Sequence, residues 1–333
     1  LVSQLLAPGF SPAQQALTVS LMRWMLVSTV VFGLSGIMMA ALNSFQHFLL
    51  PALAPVLYNL SIIAGAWFLA PTIGVYGLVI GVVVGAFLHL DSQIIGLWWH
   101  RARYRMTFGL ADPHVRETAR LMGPRVLGLA AVQINFWVNT LLASGLAAGS
   151  LSALNYAWLL MLLPEGIVAQ AVATAAFPTF AALEAQGRPG ELRRIVSQTL
   201  RGVLFLAIPA AVGLYAWRVP LIRLERGAFT ATSTQLTATA LAFYAFGLIG
   251  HSVVEIVARA FYALHDTRTP VIVTFAGVGL NVALSLALLP VLDYAGLALA
   301  NTLATLVEMA ALLWLLARRL GGLEWPQLGG TAG

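Results

Sequence analysis

The sequence predicts an all-α polytopic membrane protein with about nine transmembrane helices. Of its 333 residues, 60% are hydrophobic and 9% are charged, whereas about 25% of residues are charged in soluble domains. A water-soluble core cannot bury that much apolar surface, so lipid must solvate part of it. Three runs contain no Asp, Glu, Lys or Arg: 24–90, 126–164 and 227–254. Each run is long enough for one or more spans of roughly 20 residues.

The helix boundaries follow from chemical breaks in these apolar runs. Proline, glycine and small polar residues, or arginine-rich stretches, interrupt the chain near 43–51, 71, 100–116, 145–150, 187–190, 226–227, 265–270 and 290–293. Nine helices are therefore predicted, at about 16–42, 50–70, 74–99, 117–145, 151–181, 202–222, 234–263, 270–290 and 294–317.

The arginines predict the orientation of these helices. The basic residues are 18 arginines, and the net charge is +6. With residue 1 outside, the inner loops and tail hold Arg101, Arg103, Arg105, Arg116, Arg188, Arg193, Arg194, Arg201, Arg268, Arg318 and Arg319. The outer loops hold Arg218, Arg223 and Arg226. This positive-inside bias places the C-terminal tail in the cytoplasm and explains the net charge without a nucleic-acid partner.

Helix breaks recur at a shift of 219 residues. Gly9-Phe10 meets Ala228-Phe229, Pro51 meets Pro270, and Gly77-Leu78 meets Gly296-Leu297. The matching positions of these helix breaks predict a parallel internal repeat, with two lobes related by an axis along the membrane normal. The expected domains are the remainder of a first lobe (1–99, about three helices), a basic cytoplasmic linker (100–116), a second lobe (117–320, about six helices) and a tail (321–333). The projected start of the first copy predicts that N-terminal helices precede residue 1.

The sequence offers no sign of catalytic chemistry. It has no cysteine, no phosphate-binding loop, no zinc-protease motif and no nucleophile elbow, and its six histidines are scattered. We therefore expect no metal site and no enzyme.

Ionisable residues at membrane depth are costly, which makes them candidate functional residues. Arg125 and Glu165 lie on consecutive helices of one hairpin, where they form either a substrate site or a structural ion pair. Glu255 and Arg259 are spaced i, i+4, so a local salt bridge explains them as well as substrate contact does. Arg23 either snorkels to the outer interface or faces a cavity.

A second group of polar residues is a candidate for ion coupling. Asn139, Asn281 and Asn301 either bond between helices or bind a cation through their amide oxygens. Glu308 lies mid-helix and matches His89 under the 219-residue shift, so either side chain could titrate in a proton-coupled cycle.

Several strings, in order, resemble the MurJ (MviN) family of lipid II flippases, within the superfamily that includes the MATE drug exporters. They are APGF (7–10), ALNSFQHFLLPALAPVLYN (41–59), LMGPRVLGLAAVQINFWVNTLLASGLAAGSLSALNYA (121–157), LLPEGIVAQAVATAAFPTF (162–180), RGAFT (226–230) and RAFYALHDTRTPV (259–271). The resemblance spans nearly the whole chain and implies a MATE-like, two-lobed helical bundle. It implies translocation of the undecaprenyl-diphosphate-linked disaccharide-peptide to the outer leaflet for cell wall biogenesis, by alternating access.

Two positions depart from the pattern of this family. Members commonly carry Arg where this chain has Leu159, and some bind sodium through an Asp where it has Asn139. We hypothesise that Arg125 supplies the charge that Leu159 lacks. The resemblance also implies that the last two helices of the family, which form a groove for the lipid tail, are missing, and that the chain does not transport alone.

The resemblance implies a bacterial plasma-membrane protein, with lipid II and membrane lipids as partners. It is expected to be a monomer and to contact cell-wall synthesis enzymes. No cofactor is expected, and Na⁺ or H⁺ coupling stays open. The alternatives are a polysaccharide-repeat flippase, a MATE-type drug or cation antiporter, and a non-transporting membrane scaffold.

Overall fold

The computed structural model describes residues 8–102, 112–224 and 230–324, apart from some side chains between 114 and 135. Within these ranges the chain forms helices and no strand. We number the long helices α1 (Pro12–Ser44), α2 (Leu49–Ile73), α3 (Val75–Trp99), α4 (Pro113–Ser144), α5 (Ser150–Ala185), α6 (Pro189–Arg223), α7 (Ala231–Ala263), α8 (Arg268–Leu292) and α9 (Tyr294–Leu320).

Eight of these helices, all except α4, are long and apolar enough to cross a membrane. Helix α4 has 32 residues, and its sequence carries no charge from residue 126 to its end. The polytopic all-α prediction is therefore confirmed.

The predicted start of the sixth helix, residue 202, is wrong by more than three turns, because α6 begins at Pro189. The first turn carries proline at its start and Glu191, both favourable at a helix N-terminus. Arg193 donates from Nε and Nη2 to Glu324 Oε1, at 3.1 and 2.9 Å. The Glu324 N–H donates to Ser197 Oγ at 3.0 Å. These bonds hold the polar start of α6 against the chain beyond α9.

The predicted repeat is visible in the helix ends. A shift of 219 residues carries the start and end of α1 onto those of α7, and those of α2 onto those of α8. It also carries the start of α3 onto that of α9. The side chains of Ser11 and Thr230 accept hydrogen bonds from the matching N–H groups of residues 14 and 233. Gly74 and Asp293 share an unusual backbone, with φ of 61° and 53° and ψ of −140° and −142°.

The chain divides into two compact units, residues 1–118 and 119–333. The predicted linker at 100–116 and tail at 321–333 fall partly outside the described residues, so the domain boundaries stay predictions.

In the first unit α3 packs against both α1 and α2. Glycines let α2 and α3 approach closely, since a Cβ at Gly65 would lie 2.5 Å from the carbonyl oxygen of Gly77. Helix α2 widens to a π-helix over Gly65–Leu69, just before Pro71. Since proline lacks an N–H and crowds the preceding turn, such widening relieves the clash that Pro71 would cause in a regular helix.

In the second unit α7 is the central helix, packed against α5, α6 and α9, while α8 packs on α9. Two buried apolar clusters surround α7. One lies toward its C-terminal end around Phe180 and Phe261, and the other toward its N-terminal end around Leu241 and Leu248.

The turn between α7 and α8 is fixed by Asp266. Its carboxylate accepts the backbone N–H and the hydroxyl of Thr269, at 3.0 and 2.7 Å, and the N–H of Arg268 at 3.1 Å. These bonds favour the charged form and hold the pKa of Asp266 below its ordinary value.

Candidate functional site

A cavity of about 440 Å³ lies inside the second unit. Side chains from α4, α5, α7, α8 and α9 line it, and many of them are polar or ionisable. The predicted candidates on this surface are Asn139, Glu165, Glu255, Asn281, Asn301 and Glu308. Residues that lie as much as 169 positions apart in sequence thus meet around one space. Their roles as site residues stay predictions.

Glu165 enters the cavity from a break in α5. A π-helix runs over Glu165–Gln170, directly after Pro164. Glu165 is only 5% exposed, and Gln170 Nε2 approaches both of its carboxylate oxygens at 3.5 Å. The wider turn brings residues five apart onto the same face, which allows this contact.

Glu255 and Arg259 form an ion pair along α7. Arg259 Nη1 lies 2.7 Å from Glu255 Oε2, and the two side chains are 28% and 29% exposed. The i, i+4 salt bridge expected from the spacing is therefore present. This contact uses one guanidinium nitrogen of Arg259, and substrate contact by the pair stays a prediction.

Glu308 lies near the middle of α9 and points toward α8. The hydroxyl of Thr274 donates to Glu308 Oε1 at 2.6 Å. Glu308 has no ion-pair partner among the described side chains. Its matching position in the first unit, His89, is 8% exposed, and its Nδ1 lies 2.7 Å from the hydroxyl of Ser35 on α1.

Sequence reasoning missed His251 as a cavity residue. Its Nε2 lies 3.3 Å from Thr305 Oγ1 and 3.5 Å from Asn301 Oδ1, and its ring packs edge-on against Trp158. A usable signal was present, because His251 lies one helical turn before Glu255 on the same face of α7.

The three asparagines of the ion-coupling prediction all reach the cavity. Asn281 is buried, and its Oδ1 accepts a hydrogen bond from Ser285 at 3.2 Å. No group of three or more His, Cys, Asp or Glu side chains is placed to hold a metal ion in the described part of the chain.

The chain is similar in sequence to known proteins of one family. The sequence model of the lipid II flippase MurJ family matches residues 1–331. The chain belongs to the MurJ family. The chain is 33% identical to the probable lipid II flippase MurJ of Rhizobium tropici, over 98% of the chain and 62% of that protein. It is 30% identical to the lipid II flippase MurJ of Burkholderia cenocepacia, over 94% and 62%. The chain thus spans about three fifths of the length of these MurJ relatives.

Solved structures agree with this membership. A lipid II flippase MurJ in an inward closed conformation superposes with a TM-score of 0.83 at 28% identity, over 94% of this chain and 66% of the other. An inward-facing MATE-family multidrug transporter gives the same TM-score at 13% identity, over 96% and 75%. The second match shows a shared fold alone and confirms the MATE-like bundle. Membership in MurJ, with eight candidate spans, makes the chain a multi-pass protein of the bacterial plasma membrane.

Two arginines predicted from membrane depth, Arg23 and Arg125, stay predictions as site residues. Arg23 is exposed on α1 of the first unit, about 16 Å along the helix from its start. The side chain of Arg125, on α4, lies outside the described residues. Leu159, where the family resemblance predicts Arg, is 57% exposed on α5.

Proposed function

We propose that the chain forms the greater part of a lipid II flippase, which carries the undecaprenyl-diphosphate-linked disaccharide-peptide from the inner to the outer leaflet. The match of the MurJ family model over residues 1–331 carries this proposal. The MurJ structure that superposes on 94% of the chain also supports it. A protein of this class moves a lipid without changing its bonds, so we infer that the chain is not an enzyme.

The fold supports transport by alternating access. Repeated three-helix copies and interrupted helices around a midplane cavity are typical of secondary transporters. The π-helix at Glu165–Gln170 and the internal prolines are such interruptions. Substrate partners are lipid II and the membrane lipids, and we extend the proposal to a monomer that contacts cell-wall synthesis enzymes.

Within this proposal, Arg125 is the residue assigned to the diphosphate. A guanidinium pairs with phosphate oxygens through two parallel hydrogen bonds. Arg259 is less suited, since Glu255 lies 2.7 Å away. Glu165, Glu255 and Arg259 are assigned to the edge of the substrate path, and Arg23 to its outer end.

The direct test is exposure of lipid II on the outer leaflet of cells whose own flippase can be switched off. The gene that encodes this chain, expressed from its natural start, should restore exposure. Arg125→Ala should abolish it. Arg188→Ala, in an exposed ion pair with Glu191, is the matched control and should leave exposure intact. Restoration by the Arg125→Ala variant would remove the assignment of Arg125, and failure of the wild-type gene would overturn the flippase proposal.

The acidic lining of the cavity favours a second candidate, a cation antiporter of the MATE type. Glu165, Glu255 and Glu308 outnumber Arg259 on and beside the described lining, and carboxylates attract cations. Export of a cationic dye by cells that show no restored lipid II exposure would favour this candidate.

A further inference from the structure

Glu308 is a carboxyl group inside the second unit that accepts a hydrogen bond from Thr274. It lies 14 residues after the start of α9 and 12 before its end, about 20 Å from either terminus. Thr274 donates to Oε1 at 2.6 Å. On the other side, Oε2 lies beside Gly277, where an added Cβ would come within 3.1 Å of it. Thr274 and Gly277 share one face of α8. Thr274 supplies the hydrogen bond, and the missing side chain of Gly277 leaves space for the carboxyl group.

Among the described side chains, none forms an ion pair with Glu308. Helix α7 contributes His251 and the self-neutralised pair of Glu255 and Arg259, and α5 contributes Glu165. In the described lining, α8 contributes the Thr274 hydroxyl and no charged side chain, α4 contributes the polar Asn139 and Thr140, and α6 contributes no residue. The side chain of Arg125 on α4 lies outside the described residues. A carboxylate removed from water and unpaired is costly, and binding a proton removes that cost.

The repeat places a second titratable group at the same position. His89 on α3 corresponds to Glu308 on α9, and both are hydrogen-bonded to a hydroxyl of a neighbouring helix. His89 bonds to Ser35 on α1, whereas Glu308 bonds to Thr274 on α8. The two copies thus differ in partner and in chemical type, yet each holds one proton-binding group at mid-helix.

We propose that Glu308 is the proton-binding site of the second unit, and that the ion coupled to transport is a proton taken up and released there. On uptake, a proton from water in the cavity bonds to Glu308 Oε2 and the carboxylate loses its charge. On release that O–H bond breaks and the proton returns to water. The cavity of about 440 Å³ has room for several waters and is lined by polar groups that can hold them. The coupling half of this inference rests on the proposed flippase function.

The first experiment measures protonation without transport. Infrared difference spectra of the purified chain in lipid nanodiscs, recorded between acidic and alkaline pH, should contain the C=O band of a protonated carboxyl that Glu308→Gln removes. Glu191→Gln, on the exposed start of α6, should retain it. Thr274→Val should extend the band to more alkaline pH, since the hydroxyl stabilises the carboxylate. Spectra that Glu308→Gln and Thr274→Val leave unchanged, or a band displaced by Na⁺ at fixed pH, would overturn the proposal.

The second experiment measures coupling. Outer-leaflet exposure of lipid II by the gene product should depend on an imposed pH gradient, and Glu308→Gln should lose that dependence. A variant that keeps the full response to the gradient would exclude Glu308 as the coupling site. If the wild type exposes no lipid II, the flippase proposal fails, and the infrared titration still decides whether Glu308 binds a proton.

Discussion

The ion pair between Glu255 and Arg259 offers the sharpest energetic test of the second unit. Replacing Arg259 by Gln removes the cation that lies 2.7 Å from Glu255 and leaves Glu165 and Glu255 as two carboxylates on one cavity. Removing one partner of a buried ion pair costs about 3–5 kcal/mol. These side chains are 28% and 29% exposed, so solvent screening reduces the expected loss to about 1–3 kcal/mol.

Glu255→Gln should cost less than Arg259→Gln, because it leaves one cation near Glu165 instead of two uncompensated anions. The double variant should be more stable than the sum of the single losses predicts. The assay is unfolding of the purified protein in detergent, followed by circular dichroism.

The exposed pair Arg188–Glu191, with side chains 52% and 40% exposed, is the matched control. The corresponding Gln variants there should cost no more than about 1 kcal/mol. If Arg259→Gln is as mild as Arg188→Gln, and the double-variant cycle is additive, the ion pair does not stabilise the unit and the structural interpretation is wrong.

Three further predictions concern the repeat, the first unit and the turn between α7 and α8. Ser11→Ala and Thr230→Ala should each cost about 1 kcal/mol of unfolding free energy, because they remove equivalent helix caps; a clear inequality measured by chemical unfolding would argue against equivalent packing. Gly65→Ala should lower the melting temperature, because its Cβ would meet backbone at 2.5 Å, at a cost of about 1–3 kcal/mol. Gly33→Ala, with open space around its Cβ, should be neutral or slightly stabilising, and equal effects of the two would refute the close approach. Because the pKa of Asp266 is lowered in the folded state, its stabilisation is present above the ordinary aspartate pKa of about 4 and is lost as the pH falls through the lowered value. The melting-temperature difference between wild type and Asp266→Ala should therefore be constant near neutral pH and shrink in acid; a difference that grows in acid would contradict this.

Most of the fold could be predicted because lipid imposes a simple rule on sequence. A membrane span must be an apolar helix, and its ends are marked by proline, glycine or charge. The start of α6 could not be found in this way. Its Arg193 and Arg194 were interpreted as loop residues, while the bonds from Arg193 to Glu324 depend on a partner 131 residues away.

The sequence predicted several residues of the candidate site, but it did not predict how they are arranged. Glu165, Glu255 and Glu308 were each predicted because an ionisable side chain is costly to place within the membrane. In the structure all three line one cavity. The π-helix that turns Glu165 and Gln170 toward each other leaves no periodic signal, since it adds a single residue to one turn. His251 was missed because a lone histidine in an apolar helix is most simply explained as a packed core residue.

Side-specific labelling of single cysteines tests most directly the central claim that the two repeat copies have the same orientation in the membrane. Residues 1–333 contain no cysteine, so they contribute no background labelling. Gln46→Cys and His265→Cys occupy equivalent exposed turns, and Thr72→Cys and Val291→Cys occupy equivalent exposed positions near the ends of α2 and α8. We predict that a membrane-impermeant thiol reagent added to intact cells labels residues 72 and 291, and reaches 46 and 265 only after permeabilisation. Labelling of one residue of an equivalent pair from outside and of the other from inside would contradict the account.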